Sequence, residues 1–193
     1  QYIVVADVSR GDGSDYSACQ VFEIEDMKQC AEYKGKLSTT DYGHFLIDLA
    51  TKYNDAILVV ENNNIGWATL QTIIDRGYKN LFYQSKDLQV VDVEHQVNNK
   101  YRTQDRNMVP GFSTTLKTRP LIVAKMEEYT REKLVKIKSQ RLIDELFVFV
   151  YKSTSLNSKA EAMDGYNDDL VMSYAIALWI RDTALRMKKE KDG

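Results

Sequence analysis

Two short apolar runs in the sequence each end on a carboxylate residue. The first, Tyr2 to Ala6, is followed by Asp7 and a turn rich in Gly, Asp and Ser. The second, Ala56 to Val60, is apolar at every position, as a strand buried on both faces should be, and is followed by Glu61. Both runs have the length of strands. The pattern therefore predicts two core strands, each with an acidic side chain at its end.

A third acidic feature opens an apolar segment late in the chain. Asn167 is a good N-cap residue, which places Asp168 and Asp169 in the first turn of a helix packed on the core. The Asp pair and Asp7 also have purely structural explanations. A helix N-terminus favours negative charge by about 0.3–1 kcal/mol, and an Asp before a Gly-rich turn is ordinary hairpin chemistry.

The three acidic features together predict a metal site. A βαβ-type sheet can place Asp7 and Glu61 side by side, and the helix that begins at Asp168 and Asp169 can pack across the same end. Several carboxylates in one pocket repel each other, and a divalent cation removes that conflict. Oxygen ligands without Cys or His favour Mg²⁺ or Mn²⁺, and two such ions about 4 Å apart suit in-line displacement at phosphorus.

The elements between these acids predict a mixed sheet. The opening strand and two further strands form a meander of three antiparallel strands, and the later apolar runs add parallel strands flanked by helices. The segment from Arg181 to Gly193 is expected to be frayed and solvated. The sequence predicts strands over 16–24, 27–37, 80–84 and 147–151, helices from Thr40 or Asp41 to Tyr53, over 65–76 and over 118–132, an exposed edge strand over 134–138, and a helix capped by Ser139.

Several other classes of chemistry have little support. The only cysteines, Cys19 and Cys30, have no CxxC or His partners, which argues against a zinc site or a disulfide framework and favours a reducing compartment. His44 and His95 are isolated, so a His-based nucleophilic triad is unsupported. The 193 residues suit one domain, and no run approaches the roughly 18 apolar residues of a membrane span.

Charge is segregated along the chain. The net charge of −2 argues against an obligate nucleic-acid-binding domain, but cations cluster between residues 100 and 141 while acids collect at the Gly-rich turn and at 164–169. The stretch 85–108, which overlaps the start of this region, is polar and is predicted to be either a surface excursion or a DNA-contacting loop.

Four motifs carry a resemblance to a known family. They are ADVSRGDGSDYSA at 6–18, VENNNIG at 60–66, GFSTTLKTRP at 111–120 and GYNDDLVMS at 165–173. In this order, with these elements between them, they resemble the C-terminal nuclease domain of the large terminase subunit of tailed phages, especially T4-like ones. The resemblance spans essentially the whole chain and implies one domain, 1–193, with a ribonuclease H-like fold.

The resemblance also implies an activity. Asp7, Glu61 and Asp169 would form the catalytic triad, Asp168 would share metal coordination, and Asp15 would support the metal site. The implied enzyme is a Mg²⁺- or Mn²⁺-dependent endonuclease with two ions, which cuts concatemeric double-stranded viral DNA during genome packaging. Whether Asp168 or Asp169 faces the strands stays open, because adjacent helical residues point about 100° apart.

The implied partners are double-stranded DNA, the ATPase domain of the same polypeptide, the portal protein and the small terminase subunit. No phosphate-binding Gly-x-x-x-x-Gly-Lys-Ser/Thr motif occurs, so we expect a nuclease domain excised from a longer protein. It would work in the host cytoplasm at the procapsid portal, with no membrane. The candidates for salt-sensitive phosphate contacts are Lys100, Arg102, Arg106, Lys117, Arg119, Lys136, Lys138 and Arg141.

Three alternatives remain open. A Holliday-junction resolvase or an integrase of the same fold would use the same acids on branched or recombining DNA. The turn after Asp7 also resembles the first phosphate loop of actin-like ATPases and sugar kinases, although no second glycine-rich loop follows. The third alternative is a non-catalytic module that binds DNA or the capsid.

Overall fold

A four-stranded mixed sheet forms the centre of the protein. The structure is a computed structural model that describes residues 1–10, 13, 15–85, 108–153 and 158–192. The sheet contains β1 (Tyr2–Asp7), β2 (Ser17–Glu23), β3 (Lys28–Gly35) and β4 (Ile57–Val60) in the order β3-β2-β1-β4. The first three strands are antiparallel neighbours, and β4 runs parallel to β1. The predicted mixed sheet is therefore confirmed.

Within the described residues, five helices cover the two faces of this sheet: α1 (Thr39–Lys52), α2 (Gly66–Asp75), α3 (Thr118–Arg131), α4 (Gln140–Phe147) and α5 (Asp169–Asp192). One hydrophobic cluster joins one face to α1 and α2, through buried side chains such as Leu46 and Leu70. A second cluster joins the other face to α3, α4 and α5, through side chains such as Ile122, Leu142 and Tyr174.

The strand alternation decides which way the terminal acids point. In β1, Ile3 and Val5 belong to the cluster that contains α5, whereas Val4 and Ala6 belong to the cluster of α1 and α2. Because side chains alternate along a strand, Asp7 lies on the same face as Ile3 and Val5. The same parity in β4 places Glu61 on the α5 face. Both acids therefore point to the layer in which α5 lies.

Two short antiparallel pairs complete the described elements. The first is β5 (Tyr83–Ser85) with β6 (Met108–Pro110), and the second is the hairpin of β7 (Phe149–Ser153) and β8 (Ser158–Ala162). Parallel bridges of Leu81 with Leu58 and of Phe112 with Glu61 continue the sheet beyond β4. No helix within the described residues is long and apolar enough to cross a membrane.

The predicted edge strand over 134–138 is wrong. This segment makes one parallel bridge, between Lys136 and Lys28. Its alternating pattern arises because Val135 and Ile137 pack against the core. The next backbone N–H groups, those of Lys138 and Ser139, donate to the Gln29 side-chain oxygen at 2.8 Å instead of to a strand.

Two predicted helix boundaries change, and one is confirmed. The N-cap of α1 is Ser38 rather than Thr40 or Asp41. Because α5 begins at Asp169, Asp168 rather than Asn167 precedes its first residue. Ser139 caps α4 as predicted, with its hydroxyl accepting from the N–H of Leu142 at 3.0 Å.

The segment after residue 181 is also not the frayed tail that the sequence predicts. The α5 helix continues to Asp192. At its middle, the Arg181 guanidinium donates to the carbonyl oxygens of Ile24 and Glu25, at 3.1 and 2.8 Å. These two bonds fasten α5 to the end of β2, so this part of the helix is docked on the protein.

Candidate active site

The ends of β1 and β4 bring two carboxyl groups together. Ala6 is in register with Val60, and the N–H of Glu61 donates to the carbonyl oxygen of Ala6 at 2.9 Å. Burial raises the pKa of Asp7 well above its ordinary value, and the charge of Glu61 and a hydrogen bond with it raise the pKa further. The charges of Asp169 and Asp168 act in the same direction. These acids thus share one electrostatic environment.

A cavity of about 560 Å³ opens above these strand ends. The start of α5 forms one of its walls, and the turn after β1 forms another. All five residues predicted to form or support a metal site contribute to its lining. The lining consists of Asp7, Val8, Ser9, Arg10, Gly13, Asp15, Tyr16, Glu61, Asn63, Ile65, Arg119, Asp168, Asp169 and Met172.

Two cations hold the acids at the start of α5. The Arg119 guanidinium contacts the Asp168 carboxylate at 2.8 Å and also donates to the carbonyl oxygen of Ala160 at 3.1 Å. The Lys34 ammonium lies 3.3 Å from the Asp169 carboxylate. Burial raises the pKa of Asp169 to about 6, against the opposing effect of Lys34 and with a further contribution from the Glu145 and Asp168 charges.

Glu145 supports the site from outside the cavity. Its carboxylate accepts from the N–H groups of Leu170 and Val171, at 2.8 and 3.2 Å, and also bonds Lys34. Sequence reasoning missed this residue. The sequence does contain one sign of its role. Glu145 follows Leu142 by three residues and so lies on the inward face of α4, where an apolar residue is expected.

Asn63 fixes the other side of the site and was also missed. Its side-chain oxygen accepts from the N–H groups of Ile65 and Gly66, at 3.1 and 2.7 Å, and its NH₂ donates to Glu61 at 3.3 Å. This arrangement is an Asx turn, for which Asn is a favoured residue. The turn brings Gly66 so close to the Glu61 carbonyl oxygen that a Cβ at Gly66 would lie 1.9 Å from it.

Solved structures share this architecture. No family model matches the chain. The large terminase nuclease of the thermophilic phage G20c with bound magnesium superposes with a TM-score of 0.69 at 18% identity, covering 92% of this chain and 79% of that one. The same nuclease with bound cobalt gives the same values. The large terminase nuclease domain of Thermus phage P74-26 gives 0.56 at 19%, covering 91% and 77%. This chain has the fold of a terminase nuclease domain.

The ribonuclease H-like fold predicted from the sequence is thereby confirmed. In this terminase-nuclease fold, no three His, Cys, Asp or Glu side chains among the described residues are gathered closely enough to hold a metal ion as they stand. Instead, Asp7 bonds Glu61, while Asp168 and Asp169 hold Arg119 and Lys34.

The donor set nevertheless fits a hard divalent cation. Five carboxylates line one cavity, and carboxylate oxygens are the ligands that Mg²⁺ and Mn²⁺ prefer. The raised pKa of Asp7 is due partly to its acidic neighbours, and a bound cation would offset that repulsion.

The predicted DNA contacts that fall on described residues are scattered around the terminase-nuclease fold. Lys117 is exposed in the turn before α3, and Lys138 is exposed before α4. Lys136 bridges to Lys28 at the end of the sheet opposite Asp7, and its ammonium contacts Asp26 at 3.1 Å. Arg119 lies in the cavity, and Arg141 pairs with Glu32 at 2.7 Å. Lys100, Arg102 and Arg106 lie outside the described residues.

Proposed function

We propose that this chain is the nuclease domain of a phage large terminase subunit. It would be a Mg²⁺- or Mn²⁺-dependent endonuclease that cuts concatemeric double-stranded viral DNA during genome packaging. One observation carries the proposal: Asp7 and Glu61 end adjacent strands and face the same cavity as Asp168 and Asp169 at the start of α5. The magnesium in the G20c large terminase nuclease supports the choice of metal.

The chain supplies the ligands and holds them in place. We assign Asp7, Glu61 and Asp169 as the catalytic acids, with Asp168 as a further ligand and Asp15 as support. When bound, two divalent cations supply activation of water and stabilisation of the leaving 3′ oxygen. Asn63 orients Glu61 through its 3.3 Å hydrogen bond.

Basic side chains at the rim would hold the DNA backbone. Arg10 is exposed and lines the cavity, and Lys117 is exposed beside α3. Contacts of this kind bind phosphate without reading sequence and weaken as salt rises. We assign the predicted cations of the excursion, Lys100, Arg102 and Arg106, to the same role.

The proposed setting is the packaging machinery. The whole chain, 1–193, would act as one nuclease domain beside an ATPase domain of the same polypeptide. It would meet the portal protein and the small terminase subunit at the procapsid in the host cytoplasm. These assignments rest on the shared fold and on the four sequence motifs.

Plasmid cleavage tests the proposal. We expect the protein to nick and then linearise supercoiled DNA in Mn²⁺ or Mg²⁺. Asp7→Asn, Glu61→Gln and Asp169→Asn should each abolish cutting while circular dichroism stays unchanged. Asp75→Asn is a matched control, because Asp75 is an exposed carboxylate at the end of α2. Cutting that survives in EDTA would overturn the proposal, and a strong preference for four-way junctions would favour a resolvase instead.

A further inference from the structure

Glu145 is a buried carboxylate that bonds the start of α5 and Lys34. It comes from α4 and does not line the cavity. One oxygen, Oε2, accepts from the N–H groups of Leu170 and Val171 at 2.8 and 3.2 Å. The other, Oε1, bonds the Lys34 ammonium. Burial of a carboxylate is costly unless it is paired and hydrogen-bonded, and Glu145 meets both conditions.

The two hydrogen bonds that Glu145 Oε2 accepts fix the backbone beside Asp169. The first N–H groups of a helix have no partner within the helix and need one from outside. Asp168, which precedes the first helical residue, directs its carboxylate to Arg119 instead. Glu145 therefore supplies the acceptor for the two residues that follow Asp169. Gln20 holds the same turn from β2, by donating to the carbonyl oxygen of Leu170 at 2.6 Å.

The bond at Glu145 Oε1 holds the Lys34 ammonium, which competes with a metal ion for Asp169. Lys34 sits between two carboxylates, in direct contact with Glu145 and 3.3 Å from Asp169. Its side chain is only 15% exposed. Lys34 is thus an ammonium held by contact between one carboxylate that supports the cavity wall and one that lines the cavity.

We propose that Glu145 is a positioning residue for the metal site: it fixes the first turn of α5 and retains Lys34, so that Asp169 is available to a cation. This inference rests on the proposed function, because it requires a metal ion at Asp169. Without the Glu145 charge, Lys34 keeps Asp169 as its remaining carboxylate partner among the described residues. An ammonium held there opposes an incoming cation by repulsion and by occupying the ligand oxygen.

The test measures Mn²⁺ affinity by electron paramagnetic resonance, without DNA. Glu145→Gln keeps the shape and an acceptor oxygen but removes the charge, and should weaken Mn²⁺ binding about tenfold or more. Adding Lys34→Met to that variant should restore most of the affinity. A role in folding alone predicts no restoration, because the double variant has lost more bonds. Asp144→Asn, an exposed carboxylate of the same helix, is the control and should bind as the unmodified protein does.

Lys34→Met alone provides a second arm that keeps Glu145. It should bind Mn²⁺ at least as tightly as the unmodified protein, whereas Lys28→Met at the far end of β3 should have no effect. Unchanged affinity in Glu145→Gln, or a double variant no tighter than Glu145→Gln, would overturn the inference alone. Absence of Mn²⁺ binding by the unmodified protein would overturn the proposed function as well.

Discussion

The carboxyl groups of Asp7 and Glu61 hydrogen-bond to each other across the ends of two parallel strands. Such a bond requires a proton between two groups that are ordinarily ionised at neutral pH. Burial and the nearby acids of α5 stabilise that proton. Without a metal ion, ionisation of all these acids is therefore unfavourable, because it would place several negative charges in one buried cavity.

Asp7→Asn should stabilise the metal-free protein. The amide can donate to Glu61 and carries no charge, so repulsion with the other acids is removed. At pH 7.5 in EDTA, the melting temperature should rise by roughly 2–8 °C, corresponding to about 1–2 kcal/mol. Differential scanning calorimetry would measure this shift, with Asp75→Asn as the control. A lower melting temperature would show that the Asp7 charge is stabilising after all.

Metal affinity should fall in mild acid. The pKa of Asp169 is raised from 3.8 to about 6 and that of Asp7 is also raised, so the folded, metal-free protein binds protons that the unfolded chain releases. The stabilisation of the folded state by the protons on Asp7 and Asp169 is therefore complete below about pH 4 and is lost as the pH rises through 6. A cation requires the deprotonated acids, so Mn²⁺ affinity should be at least tenfold weaker at pH 5.5 than at pH 7.5. Calorimetric titration at both pH values would reveal the difference, and equal affinities would contradict it.

Gly66→Ala should disrupt the strand end that carries Glu61. The added methyl would lie 1.9 Å from the Glu61 carbonyl oxygen, which is backbone and can yield only by moving the strand. We expect a loss of about 2–4 kcal/mol in urea unfolding, together with weaker Mn²⁺ binding. Gly13→Ala should change stability little, because among the described residues no atom outside the immediate chain neighbours lies within 4 Å of its added methyl. Similar stabilities for the two variants would contradict the steric argument.

Substitution of Arg119 and of Lys117 should distinguish a structural role from a DNA-binding role. Arg119 bonds Asp168 and the Ala160 carbonyl oxygen, so Arg119→Ala should cost about 1–3 kcal/mol of stability. Lys117→Ala should leave stability unchanged but weaken DNA binding, and it should reduce the slope of log affinity against log salt by about 1. Fluorescence anisotropy at several salt concentrations would provide both slopes. A larger loss of slope in Arg119→Ala than in Lys117→Ala would restore Arg119 as the phosphate contact.

Residues 86–107 should be replaceable by a two-residue Asn-Gly turn. Ser85 pairs directly with Met108 in antiparallel register, and Asn-Gly suits a tight hairpin. The shortened protein should keep its cooperative thermal unfolding and its Mn²⁺ affinity. If Lys100, Arg102 and Arg106 contact phosphates, its salt slope should fall by as much as about 3. An unchanged slope would remove these three residues from the DNA interface.

Local patterns predicted the strands and their terminal acids well. Asp7 and Glu61 follow apolar runs whose burial is evident within five residues, so neither position depends on distant partners. The sequence could not predict the pairing of Lys34 with Glu145, because these residues are 111 positions apart. The predicted strand over 134–138 failed for a related reason. Val135 packs against the core and so produces the apolar alternation of a strand. The backbone that follows it, however, donates to the Gln29 side chain and not to a neighbouring strand.

The β7–β8 hairpin and the acid Asp168 share a single guanidinium. If the hairpin moves away from α3, Arg119 can follow the Ala160 carbonyl oxygen or remain with the Asp168 carboxylate, but the two bonds cannot both persist. In the first case a carboxylate loses its counter-ion and becomes a free ligand. Displacement of a surface hairpin is thereby converted into a change of charge inside the cavity.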